Sequence, residues 1–399
     1  SYLIDGMDNN ERFLGGIRFR LPKGMTKNVT VLANNYSAEY GQTSNGLFNY
    51  TSKSGGNDFS GEGYYNVRPG PVIDASSRFA QTDLSGNAVK DGFQRHQFGM
   101  SLGGPIQKDK TFFYFNAEQT ISLKDNLLNV PELGVNTTVQ GQNNYSLLSG
   151  KVDHNWTDRL RTTLRLHKGI VDIDRQGGGL TGGNTFPEAA NEQSRNSFTG
   201  ALSTVYNGHG FTSETNYQYA NFDWIYTDPN TTGVPSVNIR DPQGKTIAVL
   251  GESFGNFDIV QRVHQFQQKF TLYRGDHTIK VGGGIIGSIH QDTRGGNANG
   301  FYTVQLNPQQ LSNLRSQNIG RNLSYRDIPG DVEVMSNQVE LRPNTFDGNQ
   351  MIYSLYVEDL YSVTNRLNLT AGLRYDYDNL SKAGAALGDF NNLAPRFNA

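Results

Sequence analysis

Three aromatic residues at period two, Phe222, Trp224 and Tyr226, are the side chains best placed for chemistry with a ligand, because aromatic faces stack on sugars and on peptide side chains. A girdle at a membrane interface uses the same residue types, so spacing alone leaves both roles open. Other apparent sites fail when their spacing is tested. Gly282, Gly284 and Gly287 satisfy G-x-G-x-x-G, but a phosphate cradle must open a helix and residues 285–289 continue a strand pattern. Asp172, Asp174 and Gly177 begin like a calcium loop, yet Gln176 stands at the fifth position and Gly183 replaces the bidentate glutamate at the twelfth. This stretch therefore lends calcium no support; other loops stay open to it without evidence, and no cofactor is expected. The seven His are scattered without an H-E-x-x-H pair, and no metal ligands are assigned. No G-x-S-x-G nucleophile is present, so the chain reads as a non-enzyme with no catalytic residues.

Composition narrows the setting in which those aromatics act. Only 35% of the 399 residues are hydrophobic, yet 20 Tyr and 22 Phe are too many for a chain that cannot fold. Mean hydropathy is -0.57. A soluble chain of this length would hold about two or three domains around larger apolar cores. Barrel strands remove the conflict, since each shows one apolar face to lipid and one polar face to the lumen. A net charge of -2 without a Lys/Arg block excludes nucleic acid as a partner. Zero cysteines exclude disulfides and thiolate metal sites. No run reaches the roughly 18 apolar residues of a membrane-spanning helix.

The positioning elements follow from periodicity. Short strands are expected at 2–4, broken by Asp5-Gly6, and at 28–33. From residue 58, period-two runs fall at 59–67, 93–103, 111–117, 145–154, 160–168, 197–206, 211–226, 263–273, 278–290, 351–363 and 367–378, with another beginning at 394–397. That makes about eleven strands plus the start of a twelfth, each near the roughly 9 to 11 residues of a tilted membrane strand. Short turns at 104–109, 155–158, 207–210, 274–277 and 364–366 alternate with long loops at 68–91, 118–144, 169–191, 227–262 and 291–350. Outer-membrane barrels put short turns in the periplasm and long loops outside. Arg274-Gly275-Asp276, an adhesion tripeptide only if exposed to a host, then falls in a periplasmic turn. Leu367, Leu369 and Leu373 oppose Asn368, Thr370 and Arg374; Leu164 and Leu166 oppose Arg165 and His167; Ile285 and Ile289 oppose Ser288 and His290.

Residues 38–62, AEYGQTSNGLFNYTSKSGGNDFSGE, resemble the end of the plug in TonB-dependent outer-membrane transporters. Residues 98–115, FGMSLGGPIQKDKTFFYF, resemble a barrel hairpin of the Oar-like branch of that family, as do residues 356–377. Gly103-Gly104-Pro105 should end a strand there, because Pro cannot donate to the ladder. The resemblance implies an all-β membrane protein with the C-terminal part of a plug domain at 1–57. Residues 58–399 would then be roughly the first half of an antiparallel transmembrane β-barrel of about 22 strands. Unpaired edges are costly in lipid, so the chain is expected to belong to a longer polypeptide.

By the same resemblance the protein is an energy-coupled transporter or receptor in the outer membrane of a Gram-negative-type bacterium. A TonB-type inner-membrane complex would act through a segment before residue 1. The implied partners are outer-membrane lipid, lipopolysaccharide and an extracellular substrate: a peptide, protein, glycan or chelate, with peptide or protein favoured. Phe222, Trp224 and Tyr226 would bind that substrate. The rival expectation is a structural or adhesion protein that engages partner proteins through its long loops; a passive porin is disfavoured because a plug-like segment would obstruct it.

Overall fold

Period-two runs become strands, and each pairs with its neighbour in sequence. The computed structural model describes residues 1–33, 36–43, 46–70, 94–175, 177–178, 183–227, 233–253, 255–295, 299–341, 344–380 and 390–399. At the start, β1 (Tyr2–Ile4), β2 (Met7–Asp8), β3 (Thr26–Leu32) and β4 (Leu47–Ser52) form a sheet in the order β2-β1-β4-β3, with β1 parallel to β4. Asp5 (φ 48) and Gly6 (φ 80) make the turn from β1 to β2, as an Asp-Gly pair does in tight hairpins.

The wall begins with β5 (Ser60–Arg68), β6 (Gln94–Gln107), β7 (Thr111–Val130), β8 (Val135–Asn155), β9 (Leu160–Arg175), β10 (Asn191–Gly208) and β11 (Phe211–Thr227). Short β12 (Ser236–Arg240) and β13 (Thr246–Gly251) precede β14 (Asn256–Arg274) and β15 (His277–Gly295). Then come β16 (Phe301–Gln305), α1 (Pro308–Ser316), β17 (Glu333–Gln338), β18 (Asn344–Thr364), β19 (Leu367–Asp378) and β20 (Leu393–Asn398). The long elements make one 12-stranded sheet, β20-β19-β18-β15-β14-β11-β10-β9-β8-β7-β6-β5. All its pairs are antiparallel, and the turns at 108–110, 156–159, 209–210, 275–276 and 365–366 lie at one end.

Burial is inverted relative to a soluble protein. Arg165 and His167 are 3% and 1% exposed, whereas the alternating Leu164 and Leu166 are 43% and 44% exposed. Ser288 and His290 are buried on either side of exposed Ile289, and Arg374 is buried beside exposed Leu373. The polar face therefore lines the concave side, where the N-terminal sheet sits, and the apolar face is left for lipid. Trp156 stands exposed at a short turn, its Nε1 donating to Thr162 Oγ1 at 3.1 Å, as an interfacial aromatic should. On the concave face two aromatic rings cover glycines directly across the ladder, Tyr64 over Gly99 and Tyr356 over Gly282.

Several boundaries differ from expectation. The Asn/Gln-rich stretch expected as a loop to about residue 144 is mostly strand: β7 and β8 pair without a slip from Thr111–His154 to Val130–Val135, closed by one 3-10 turn at Pro131–Leu133. Its polar side chains hide the strand because beyond the bilayer neither face needs to be apolar. β6 also runs past Gly103-Gly104-Pro105 to Gln107. A register shift between Pro105 and Gln107 spares the ladder the donor that Pro lacks. Most of the loop expected at 68–91 lies outside the described residues.

The long connections are folded, which periodicity did not anticipate. β12, β13, β16 and β17 form a second four-stranded sheet, β13-β12-β16-β17, on the long-loop side. Leu128 and Val130 from the β7–β8 tip, Phe186, Ile239, Leu250, Val304 and Leu314 of α1 share its core.

Candidate functional site

The concave face of the wall holds the N-terminal sheet by two kinds of contact. Toward β7 to β9 the contact includes apolar packing: Ile4, Phe19, Leu21 and Met25 meet Tyr114 and Leu147, and Phe19 stacks on His167 with centroids 4.8 Å apart. Tyr114 Oη donates to the Gly24 carbonyl at 2.8 Å, and Gly24 lies so close to Asn116 that a Cβ would strike it. Asp5 is the charged centre of this side. It receives Arg165 Nη1 at 2.5 Å and the Ser52 hydroxyl at 2.5 Å, with Lys151 Nζ at 4.0 Å. Burial alone would push the Asp5 carboxyl up, but Arg165 and Lys151, helped by Ser52, hold it below the usual carboxylate range.

Toward β11 and the strands from β14 to β19 the contacts are polar. The Asp8 N–H donates to Gln265 Oε1 at 3.0 Å, and Gln218 donates to the Asp8 carbonyl at 2.7 Å. Glu39 lies 3.4 Å from Lys269 Nζ and 3.9 Å from Lys280 Nζ. Glu358 accepts from the Ser37 hydroxyl and the Ala38 N–H, at 2.7 and 2.6 Å. Arg374 donates to the carbonyls of Ala38 and Glu39 at 3.1 and 3.0 Å.

Above the sheet, on the long-loop side, the three sequence-selected aromatics lie together. Phe222, Trp224 and Tyr226 share the face of β11 that carries Gln218, and an unslipped register keeps that face inward. A lipid-facing girdle is therefore not their place. Phe257 joins them, edge-on to Trp224 at 5.1 Å and stacked on Tyr226 at 5.2 Å. Arg195 lies 4.1 Å over the Trp224 ring. Phe257 pairs across the ladder with Arg294, whose guanidinium lies 4.4 Å over Phe13.

Phe13 belongs to a raised loop that sequence reasoning missed. The Glu11 carboxylate accepts from the N–H groups of Phe13, Leu14 and Gly16 at 2.8, 2.9 and 2.7 Å, which fixes the loop's shape. Phe13 and Leu14 remain 36% and 68% exposed. The loop's sequence is ERFLGG, irregular and without periodicity, so only the exposed apolar pair could have flagged it. Phe257 was legible in principle, as an inward position once the β14 alternation is extended upstream.

The arrangement can stack planar groups and offer cations to π faces. Gly282, Gly284 and Gly287 lie within β15, and Arg274-Gly275-Asp276 makes a short turn. Asp172 and Asp174 lie along β9, and Gln176 is outside the described residues. Among the described residues no three His, Asp or Glu side chains gather as a metal site requires.

A family model described as "Outer membrane beta barrel domain" matches residues 51–133 and 126–397. The TonB-dependent transporter Oar of Myxococcus xanthus is 27% identical over 113 residues, 28% of this chain and 11% of that protein. Among solved structures, the outer membrane transporter YddB from Escherichia coli superposes with a TM-score of 0.70 at 16% identity, over 99% of this chain and 50% of that one. The siderophore receptor PirA from Acinetobacter baumannii gives 0.58 at 16% identity, over 100% and 50%. The chain thus spans about half the length of these structures. At such identities the likeness is one of fold.

Proposed function

This chain belongs to the outer membrane β-barrel domain family, and from that premise we propose that it acts as an energy-coupled, TonB-dependent transporter or receptor. It is a multi-strand β-barrel protein of the bacterial outer membrane. The observation that carries the reading is the folded sheet of β1 to β4 held against the concave face of the wall by ion pairs and hydrogen bonds. Contacts of this kind fix a plug at rest and exchange readily for water when it is pulled. On this reading residues 1–57 are the C-terminal part of the plug, residues 58–399 are barrel, and a TonB-type complex supplies the pull.

The substrate is captured by Phe222, Trp224 and Tyr226 with Phe13 opposite, a surface suited to a peptide or protein bearing apolar side chains. Lipid and lipopolysaccharide cover the exposed apolar face. In energised cells, deleting the coupling protein should abolish uptake or secretion of a candidate ligand; unchanged flux would overturn the reading. Its rival is a surface adhesion protein, favoured by the prefolded loop sheet of β12, β13, β16 and β17. Attachment to partner cells that persists at normal strength without the coupling protein would support the rival.

A further inference from the structure

A carboxamide stands within the lipid-facing band of the wall. On β14, Phe266 and Phe270 are exposed, and Gln268 between them shares their face, since Gln265 and Lys269 turn inward to Asp8 and Glu39. Across the ladder the same row runs through Thr215 on β11, Gly283 on β15 and Leu355 on β18. Exposed Val281 and Ile285 flank Gly283, and exposed Tyr353 and Val357 flank Leu355. Apolar residues thus border the row on both sides. None of these four strands is an edge of the 12-stranded sheet.

The carboxamide is held in place but not saturated. Thr215 Oγ1 donates to Gln268 Oε1 at 2.6 Å, and Gln268 Nε2 donates to Ser213 Oγ at 3.0 Å. A carboxamide offers two N–H donors and two acceptor lone pairs. Here the second N–H reaches only the Lys269 carbonyl, at 3.4 Å, and among the described residues Oε1 accepts from Thr215 alone. Gly283, directly opposite, has no side chain to cover the group, and Leu355 leans over Gly283 as a rim.

Lipid tails supply neither donor nor acceptor, so a neighbour that completes the carboxamide must bring polar atoms to the same depth. A second copy does this by symmetry. A two-fold axis along the membrane normal keeps every residue at its own depth and sets Gln268 against Gln268. Each amide then gives one N–H and receives one, using the capacity left free on both sides.

We propose that this outward face of β11, β14, β15 and β18 is a contact between two copies of the chain within the membrane, centred on Gln268. Phe266, Phe270 and Leu355 pack around the amide pair and keep lipid away from it. The contact leaves the concave face untouched, so it stands or falls independently of the transport reading.

The chain has no cysteine, so one introduced thiol reports on one position. In native outer membranes holding the full-length protein, a short bis-maleimide should join two copies through Leu355→Cys about tenfold more than through Leu148→Cys, an exposed lipid-facing position on β8. Phe266→Cys, beside Gln268 on β14, serves as a second reporter. Adding Gln268→Leu, which suits lipid better, should cut either yield about tenfold, the effect of one hydrogen-bonded pair in a membrane. Equal yields at Leu355→Cys and Leu148→Cys mark random encounter and overturn the contact, as does a yield that Gln268→Leu leaves unchanged. Adducts with a different protein overturn it by giving the face to another membrane partner. No adduct at either reporter overturns it by leaving the face to lipid.

Discussion

Two four-stranded sheets of similar size hang on the same wall, and they are held in opposite ways. Among the described residues, the sheet of β12, β13, β16 and β17 shares a cluster of fifteen buried apolar residues, whereas the apolar cluster between the sheet of β1 to β4 and the wall has six, and charges and hydrogen bonds make much of the remaining contact. Apolar burial is non-directional and strong, so the loop sheet behaves as one unit with α1 and the β7–β8 tip. Polar contacts are specific in geometry and modest in net strength, so the inner sheet is well placed and weakly held. The difference separates a permanent platform from a removable part.

The comparison can be broken most forcefully at Phe186, which is fully buried in the loop core. Phe186→Ala should cost about 3 to 5 kcal/mol locally, seen as lost hydrogen-exchange protection in β12 and β13 with β1 to β4 unchanged. Equal loss in both sheets would show that they are one cooperative unit. Next in size, Asp5→Ala leaves Arg165 and Lys151 enclosed without their counter-charge and should weaken attachment of the inner sheet by about 3 kcal/mol. Exchange should then quicken in β1 and β4 while the loop sheet keeps its protection.

Acid sharpens the contrast reversibly. The folded Asp5 carboxyl titrates below its unfolded value, so its contribution is complete above that value, near pH 4, and is lost as pH falls through the depressed one. Protection of the inner sheet should therefore fall below about pH 4 more steeply than that of the loop sheet, and Asp5→Asn should flatten the difference. The smallest effect is expected at Asn307, whose side chain caps α1 by accepting from the Gln310 N–H at 2.8 Å. Asn307→Ala should cost about 1 kcal/mol and loosen α1 alone, measured as faster exchange in its first turn.

The wall was legible because lipid enforces period two. Leu164, Leu166, Ile285, Ile289 and Leu373 must face out, and that constraint writes the strands into the sequence. Where lipid ends, the signal ends too. The upper parts of β7 and β8 carry Asn, Gln and Thr on both faces and read as loop, although their ladder is unbroken. The loop sheet was hidden because its strands are five or six residues long and are paired through distant segments, such as β12 with β16. At the site, spacing selected Phe222, Trp224 and Tyr226, but register was needed to choose between lumen and lipid. Arg195, Phe257, Arg294 and Phe13 come together only in three dimensions.

Tyr64 over Gly99 and Tyr356 over Gly282 carry one more consequence. Each ring fits only opposite a residue without a Cβ; a slip of one turns the ring to the other face, and a slip of two along β6 sets Tyr64 against Gln97 or Ser101. These pairs work as alignment keys. A hairpin in the wrong register meets a steric clash at these positions, so the alignment of the wall is specified in part by residues that have no side chain.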